Sequence, residues 1–294
     1  MSREIVSACL RRLDTPNQAG LALRPVTAFR GGRASYVWRT NRPGCVAKCS
    51  RGKGASATPF PPRPTTQNGD RKMEKVNLQE RRIGIHAIEK FTVTEKGAML
   101  HNLDMLQHHQ PHRMIEPGGT YTRLVRFDGG EFEGGRTVVM SDTPAEMADH
   151  VEAVKQARGK VVINGLGIGM VLNAVLAKPE VESVLVIEYN EDVIALTADQ
   201  YAGNERVTIV QDDAYQYTPQ YGSRYDMVWH DIWDHICPDN IELMDKLEDK
   251  WRPHAAWQGS WARDECEKTR DRIERARQEM EDAYRALREH QDAA

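Results

Sequence analysis

The chain has 294 residues, of which 40% are hydrophobic and 28% are charged, enough for one large domain or two modest ones. No apolar run approaches the ~18 residues of a membrane span, and the first twenty residues lack the apolar centre of a signal peptide. The five cysteines are scattered, and the closest pair, Cys45 and Cys49, makes no four-ligand metal set. We therefore expect a reduced, cytoplasmic protein without a metal or a membrane anchor.

The net charge of −3 hides an asymmetry along the chain. Residues 1–72 hold 14 basic and three acidic residues, whereas residues 73–294 hold 26 basic and 40 acidic residues. Contacts to phosphates need clustered positive charge, so the acidic body argues against a nucleic-acid surface on the folded part. A small-molecule substrate is the expectation for that part.

Residues 1–72 are rich in Arg, Gly, Pro, Ser and Thr and show no helical or strand period. Such a segment buries too little apolar surface to offset its ordering entropy. Three interpretations stay open: a disordered basic arm that contacts nucleic acid, an Arg-rich transit peptide, or an untranslated extension. The last is favoured, because ordinary domain-like sequence begins at Met73.

Residues 73–141 are predicted to form a small β-rich region of short strands and loops. Residues 121–127 alternate in polarity, Asp128-Gly129-Gly130 is typical of a hairpin turn, and residues 134–140 fit a returning strand. Three histidines lie close together, but no carboxylate or cysteine stands at ligand spacing, so a solvated loop is favoured over a metal site. They are His108, His109 and His112.

Residues 142–158 are predicted to form one helix. Asp142 or Thr143 would cap it, Pro144 suits its first turn, and Glu146 stands where a capping-box acid belongs. Its predicted apolar face consists of Met147, Val151 and Val154.

From Lys160 onward apolar strands alternate with helices. Near-continuous apolar strands separated by helices are typical of a parallel sheet covered on both faces. We therefore expect an α/β, Rossmann-like, doubly wound and mainly parallel sheet over residues 142–262. The predicted strands are 160–164, 183–188, 206–210, 225–231 and 254–260, and the predicted helices are 168–178, 190–201 and 240–250.

The last part of the chain, residues 263–294, is predicted to be a charged helix with one apolar stripe. Such a stripe more often packs on its own domain than on a partner, and a homo-oligomer stays open. The stripe consists of Ile273, Ala276, Met280, Tyr284 and Leu287.

A glycine-rich turn follows the first predicted parallel strand. Gly165, Gly167 and Gly169 occupy this turn, and Glu188 ends the next strand about twenty residues on. Glycines let the backbone turn tightly and approach a ligand, and the acid can accept hydrogen bonds from ribose hydroxyls. The dinucleotide fingerprint needs its last glycine one residue later, where Met170 stands, so NAD and FAD are disfavoured.

Two further loops carry polar residues beyond the predicted strands. Ligands of open α/β sheets bind beyond the carboxyl ends of the strands, so four such loops together predict one ligand site. Taken singly, each residue has a structural alternative: turn geometry for the glycines, a helix cap for Glu188, a turn for Asp213 and a loop brace for Asp234. The further residues are Asp212, Asp213 and Ala214 after the third strand and Asp231, Trp233, Asp234 and His235 after the fourth.

Residues 142–234 resemble the class I S-adenosylmethionine-dependent methyltransferases, in the branch that includes spermidine synthases. Residues 159–169 are similar to that family's first glycine-rich motif, and residues 178–188 to its second strand. Asp213-Ala214 falls where the family places an acid beside the adenine amine. Asp231 and Asp234 match in spacing the two aspartates of the polyamine-synthase loop.

The resemblance implies a cofactor and roles for the site residues. The cofactor would be S-adenosylmethionine, or its decarboxylated form in a polyamine synthase. Asp231 would orient or deprotonate the acceptor, with Asp234 as the second catalytic acid. Independently of the resemblance, Trp233 and His235 lie in the same loop and could form a wall of the acceptor site. In the cofactor site, Gly165, Gly167 and Gly169 would hold the methionine end, Glu188 the ribose, and Asp213 and Ala214 the adenine.

The sequence departs from the polyamine synthases at three places. Ile168 stands where those enzymes carry an aspartate in the glycine loop, Pro144 and Ala145 where they carry a Tyr-His pair, and residues 235–238 replace a Pro-Gly-Pro-like stretch. Cofactor binding therefore carries over better than polyamine chemistry. We expect a methyltransferase with an unidentified acceptor; an aminopropyltransferase and a non-catalytic cofactor-binding protein are the alternatives.

Overall fold

The computed structural model describes residues 25–30, 33–38, 73–127 and 135–292. Its strands are β1 (Pro25–Arg30), β2 (Arg33–Trp38), β3 (Arg81–Ile83), β4 (His86–Thr92), β5 (Thr120–Phe127), β6 (Arg136–Ser141), β7 (Gly159–Asn164), β8 (Val181–Glu188), β9 (Val207–Gln211), β10 (Met227–His230) and β11 (Gln258–Ser260). Its helices are α1 (Glu95–Gln107), α2 (Pro144–Asp149), α3 (Val151–Gln156), α4 (Met170–Leu176), α5 (Glu191–Thr197), α6 (Asn240–Trp251) and α7 (Arg263–Asp292).

Five parallel strands form the centre of the larger sheet, in the order β9-β8-β7-β10-β11. Counted along the chain this order is 3-2-1-4-5, the Rossmann-like order, and it reverses direction between β7 and β10. Residues at the middle of these strands, such as Val162, Val186 and Val228, are fully buried because the sheet is covered on both faces. The predicted α/β fold is confirmed.

Strands β1 and β2 extend this sheet beyond β9. They form an antiparallel hairpin, and β2 pairs antiparallel with β9 between Tyr36 and Trp38. The sequence predicts no strand in residues 1–72, because the segment shows no strand period. The hairpin and its pairing with β9 were therefore not predicted. This pairing supplies partners for the backbone groups along the outer edge of β9.

The smaller sheet is antiparallel, in the order β3-β4-β5-β6. The predicted pairing of residues 121–127 with residues 134–140 is seen in β5 and β6, and the predicted turn at residues 128–130 lies outside the described residues. Helix α1, between β4 and β5, was not predicted. Its N-cap is Thr94, whose Oγ1 accepts a hydrogen bond from Gly97 N at 3.1 Å.

The predicted single helix over residues 142–158 is wrong, because the segment forms α2 and α3 with a break at His150. The last turn of α2 tightens, and His150 N donates to Met147 O at 3.2 Å. Glu146 makes no capping box; its Oε2 accepts from Ser141 N at 2.7 Å and from Ser141 Oγ at 2.8 Å. These bonds fix Glu146 beside the end of β6.

Both sheets share one hydrophobic core. Ile88 and Leu124 of the smaller sheet lie in the same buried cluster as Val161, Ile163 and Met227 of the larger one. Asp142, fully buried, strengthens this junction: its carboxylate accepts from Val76 N at 3.0 Å and from Thr122 N at 2.6 Å. The smaller sheet is therefore packed onto the larger one.

Helix α7 leaves this core after its first turn. Cys266 is buried, whereas Ile273, Met280 and Tyr284 are 55, 68 and 69% exposed. The expectation that the apolar stripe packs on its own domain is therefore wrong for these residues. Within the described residues no helix combines the length and apolar character needed to cross a bilayer.

Candidate functional site

The predicted site residues meet at the carboxyl edge of the parallel sheet. Asn164 at the end of β7 pairs with Ile187 on one side and with His230 on the other, and Glu188 pairs with Gln211. The loops that follow β7, β8, β9 and β10 therefore start side by side. The edge includes the reversal of strand order, where α/β sheets bind ligands.

The glycine loop takes a conformation that requires glycine. Gly165 and Gly167 have φ angles of 100° and 50°, in the left-handed region that other residues avoid. A Cβ on Gly165 would collide with the Asp231 carbonyl oxygen, and one on Gly167 with the Met140 sulfur. Met140 Sδ also accepts from Ile168 N at 3.2 Å, so the smaller sheet covers the loop, a contact that no sequence signal indicated.

Glu188 braces the loop from the end of β8. Its Oε2 accepts from Leu166 N and its Oε1 from Asn190 N, both at 2.8 Å. Burial raises the pKa of Glu188, against the opposite effect of these hydrogen bonds. Each carboxylate oxygen has a second lone pair, so Glu188 can hold the loop and still accept ligand hydroxyls.

Asp213 and Ala214 lie in a tight turn after β9. Asp213 Oδ1 accepts from Tyr215 N at 2.8 Å, which is an Asx turn. Ala214 is buried, and its carbonyl oxygen accepts from Lys250 Nζ at 2.8 Å. The turn thus places the Asp213 carboxyl at the edge of the site. The Asx turn also gives Asp213 a structural role, whether or not it contacts a ligand.

The two predicted catalytic aspartates have opposite environments. Burial raises the pKa of Asp231 well above its usual range, and the nearby carboxyls of Glu146 and Asp149 add to the effect. Burial alone would also raise the pKa of Asp234, but hydrogen bonds from His235 and Arg126 outweigh it and lower that pKa. Asp234 Oδ2 lies 2.7 Å from Arg126 Nη1 of β5, so Asp234 ties the site loop to the smaller sheet.

His150 lies beside Asp231, at the break between α2 and α3. It is fully buried, and its Nε2 stands 3.9 Å from Asp231 Oδ2. Neither of its ring nitrogens has a hydrogen-bond partner among the described residues. Burial lowers the pKa of His150 to about 3, so the ring is neutral at ordinary pH. Sequence reasoning missed this contact, because it joins residues 81 positions apart.

The aromatic residues divide between core and surface. Trp229 is buried, stacks on Trp257 at 6.3 Å and meets the His150 ring edge-to-face at 5.9 Å, so it belongs to the core. Trp233 packs against a buried cluster with Ile241, Met244 and Cys266. His235 is exposed, and its Nδ1 lies 2.7 Å from Asp234 Oδ1.

The three clustered histidines of the smaller region are exposed. His108 follows α1, and its Nδ1 is 3.3 Å from Asp104 Oδ1 at an exposed position. His109 has a φ of 56° in the turn that follows. In the part of the chain that the structure describes, no group of three or more His, Cys, Asp or Glu side chains could hold a metal ion.

No family model and no curated protein matches the sequence. Among solved structures, the chain is similar to the N-terminal domain of EvdMO1 with SAH bound, at 20% identity over 45% of this chain and 58% of that one, with a TM-score of 0.32. It is similar to a putative RNA methyltransferase PH1948 from Pyrococcus horikoshii, at 13% identity over 40% and 58%, with a TM-score of 0.31. It is also similar to the spermidine synthase from Thermotoga maritima, at 16% identity over 43% and 50%, with a TM-score of 0.30.

The chain therefore spans between 50 and 58% of the length of these three solved chains. One of the three is named as a putative RNA methyltransferase and one as a spermidine synthase.

Proposed function

We propose that the protein is an S-adenosylmethionine-dependent methyltransferase. The observation that carries the proposal is the arrangement at the switch in strand order. There a glycine loop braced by Glu188 lies directly against the backbone of Asp231, an aspartate whose pKa is raised. A cofactor site and a candidate acceptor base are thus adjacent.

The residues present fit this cofactor. Glu188 retains acceptor capacity on both oxygens for ribose hydroxyls. Asp213, with Ala214, stands after the third parallel strand, where it would take the adenine amine. When bound, the cofactor supplies a methyl carbon made electrophilic by a sulfonium.

Asp231 is proposed to orient the acceptor and to take its proton. A general base works best when its pKa is close to the working pH, and burial among carboxyls moves the pKa of Asp231 in that direction. The backbone of Asp231 is fixed, because its N–H donates to Asn164 O at 2.8 Å. Much of the rate gain in such a displacement comes from holding the two reactants in line.

Asp234 fits a positioning role better than contact with the acceptor. Its two oxygens are already bonded to Arg126 and His235, and its lowered pKa makes it a weak base. We propose that it holds the loop that carries Asp231, with Trp233 and His235 at the outer end of the same loop.

Methyl transfer is favoured over aminopropyl transfer by the environment of Ile168. This side chain is fully buried in the core, so the loop presents no acid there to hold the free amine of a decarboxylated donor. The carboxylated donor is the better match to this loop.

The test is a calorimetric titration of the full chain with S-adenosylmethionine, decarboxylated S-adenosylmethionine and NAD. Glu188→Ala is expected to abolish binding of the carboxylated donor. Asp231→Asn is expected to leave that binding intact and to stop release of S-adenosylhomocysteine with small amine and alcohol acceptors. Glu191→Ala, which alters an exposed acid three residues after Glu188, is the matched control and should bind like the wild type.

Preference for the decarboxylated donor would move the assignment to aminopropyl transfer. Binding of none of the three ligands, or equal loss of binding in the Glu188 and Asp231 variants with the fold intact, would contradict the proposed function.

A further inference from the structure

Three of the seven buried side-chain atoms that lack a hydrogen-bond partner in the described residues belong to one pair of rings beside Asp231. Among the described residues, Nδ1 and Nε2 of His150 and Nε1 of Trp229 are buried without a hydrogen-bond partner. Their two rings meet edge-to-face, with centroids 5.9 Å apart. Buried polar groups are normally paired, because an unpaired one destabilises the fold. Unmet hydrogen-bonding capacity at one place therefore points to a ligand.

The spacing of the two facing groups suits a single ligand atom. His150 Nε2 and Asp231 Oδ2 are 3.9 Å apart, too far for a direct hydrogen bond. One nitrogen or oxygen placed to one side could lie about 2.8 Å from both. The Asp231 side chain is 16% exposed and that of His150 is 1% exposed, so a ligand would approach this position from the Asp231 side.

The charges around this position select the kind of ligand. The carboxyls of Glu146 and Asp149 raise the pKa of Asp231 by repulsion, in addition to the effect of burial. Arg113 lies 2.6 Å from Asp149 and pairs with that carboxylate, and the buried His150 ring is neutral. A carboxylate or phosphate would meet the carboxyls of Asp231 and Glu146, whereas a neutral or cationic N–H or O–H group would donate to Asp231.

We propose that His150 is an acceptor-binding residue, which together with Asp231 holds the attacking group of a neutral or cationic N–H or O–H acceptor and excludes anionic acceptors. This inference rests on the proposed methyltransferase function, since it places the acceptor beside the loop that would hold the cofactor. The acceptor site would then include His150, at the break between α2 and α3, in addition to the loops that follow the strands.

The experiment compares His150→Phe with His150→Gln. Phenylalanine keeps the ring and removes both nitrogens, and glutamine restores a polar end. Each full-length variant is first titrated with S-adenosylhomocysteine by calorimetry and then melted. Binding of 1-propylamine and of propionate to the protein saturated with S-adenosylhomocysteine is then measured by saturation-transfer NMR at equal ionic strength.

The wild type is expected to bind propylamine and to give no signal with propionate. His150→Phe should bind S-adenosylhomocysteine normally, melt at the same or a higher temperature, and bind propylamine at least tenfold more weakly. His150→Gln should recover part of that binding. A purely structural histidine would instead give a lower melting temperature and unchanged amine binding.

Equal binding of propionate and propylamine by the wild type would overturn the inference, as would propylamine binding by His150→Phe at wild-type strength. Absence of propylamine binding in the wild type would also overturn it. Loss of S-adenosylhomocysteine binding in the wild type itself marks failure of the proposed function, which the first titration detects separately.

Discussion

The side chains at the sheet edge differ in how many hydrogen bonds they already make within the protein. Glu188 and Asp234 already accept hydrogen bonds from neighbouring groups of the protein, whereas Asp231 and His150 face each other without a hydrogen bond. The pKa shifts follow the same division: raised for the buried Asp231 and lowered for the ion-paired Asp234. A residue's chemistry here depends on its partners more than on its type.

The neutral, buried His150 should make stability depend on pH. Its native pKa is about 3, against an ordinary 6.5. Between these values the unfolded chain binds a proton that the native protein does not, so stability falls as pH drops below 6.5. Over the range from pH 6.5 to pH 5 this amounts to about 2 kcal/mol.

Urea unfolding at pH 7.5 and pH 5.0 measures this contribution. His150→Phe should lose about 2 kcal/mol less than the wild type between the two pH values. His230, whose pKa burial lowers to about 4, is present in both proteins and cancels in the comparison. Equal losses in both proteins would show that His150 is accessible to protons in the native state.

Replacing Gly165 by alanine tests the close approach of the glycine loop to β10. The Cβ would meet both a φ of 100° and the Asp231 carbonyl oxygen, so a loss of about 3 kcal/mol or more is expected. Gly203→Ala is the control, since Gly203 has a φ of 85° with open space around it; strain alone should cost about 1 kcal/mol there. Similar losses in both variants, by urea unfolding, would contradict the close contact.

Local spacing made the glycines, Glu188 and Asp231 predictable from sequence. Each follows a recognisable strand, and the ends of parallel strands necessarily share an edge. His150 and Met140 were not predictable, because their contacts with the site depend on how the smaller sheet and α2 pack. No local pattern encodes such packing.

At the scale of elements, hydrophobic periodicity predicted the parallel strands and most of the helices. It failed to predict a helix that has no separate apolar and polar faces. Helix α1 exposes Leu100, Leu103 and Leu106, so it lacks the polar outer face by which surface helices are recognised. The segment with α2 and α3 carries a continuous helical pattern, yet it breaks at His150. For α1 the local signal is weak, whereas at His150 the tertiary setting overrides a local helical pattern.

Helix α7 provides a test of how locally stability is distributed. Arg263 lies 2.6 Å from Asp245 and 3.1 Å from Glu248, and Cys266 is buried, whereas residues 270–286 are exposed. Truncation after residue 269 should therefore change the unfolding free energy by less than about 0.5 kcal/mol.

Truncation after residue 262 is the comparison, because it also removes Arg263 and Cys266. It should destabilise the protein by several kcal/mol, since it unpairs acids of α6 and opens the buried cluster around Cys266. Thermal unfolding distinguishes the two outcomes. A large loss of stability on truncation after residue 269 would mean that the exposed part of α7 is covered in solution.

At the scale of the whole molecule, the site depends on both sheets. The smaller sheet contributes Met140 over the glycine loop and Arg126 on Asp234, and its His86 Nδ1 lies 3.2 Å from Asp192 Oδ2 in α5. These contacts join the smaller sheet to the glycine loop, to the loop that carries Asp234 and to α5. The boundary predicted between residues 141 and 142 therefore crosses a continuous structure.

The shared core predicts that residues 73–294 unfold as one unit. Ile88 and Leu124 bury their side chains against the same cluster as Val161 and Ile163, so a chain of residues 142–294 would expose this surface and lose the bonds from Val76 and Thr122 to Asp142. Residues 73–294 should give one coincident transition by tryptophan fluorescence and far-ultraviolet circular dichroism. Residues 142–294 alone should melt without a cooperative transition. If they instead unfolded cooperatively at the temperature of the longer chain, the two sheets would be independent domains, and the dependence of the site on the smaller sheet would be wrong.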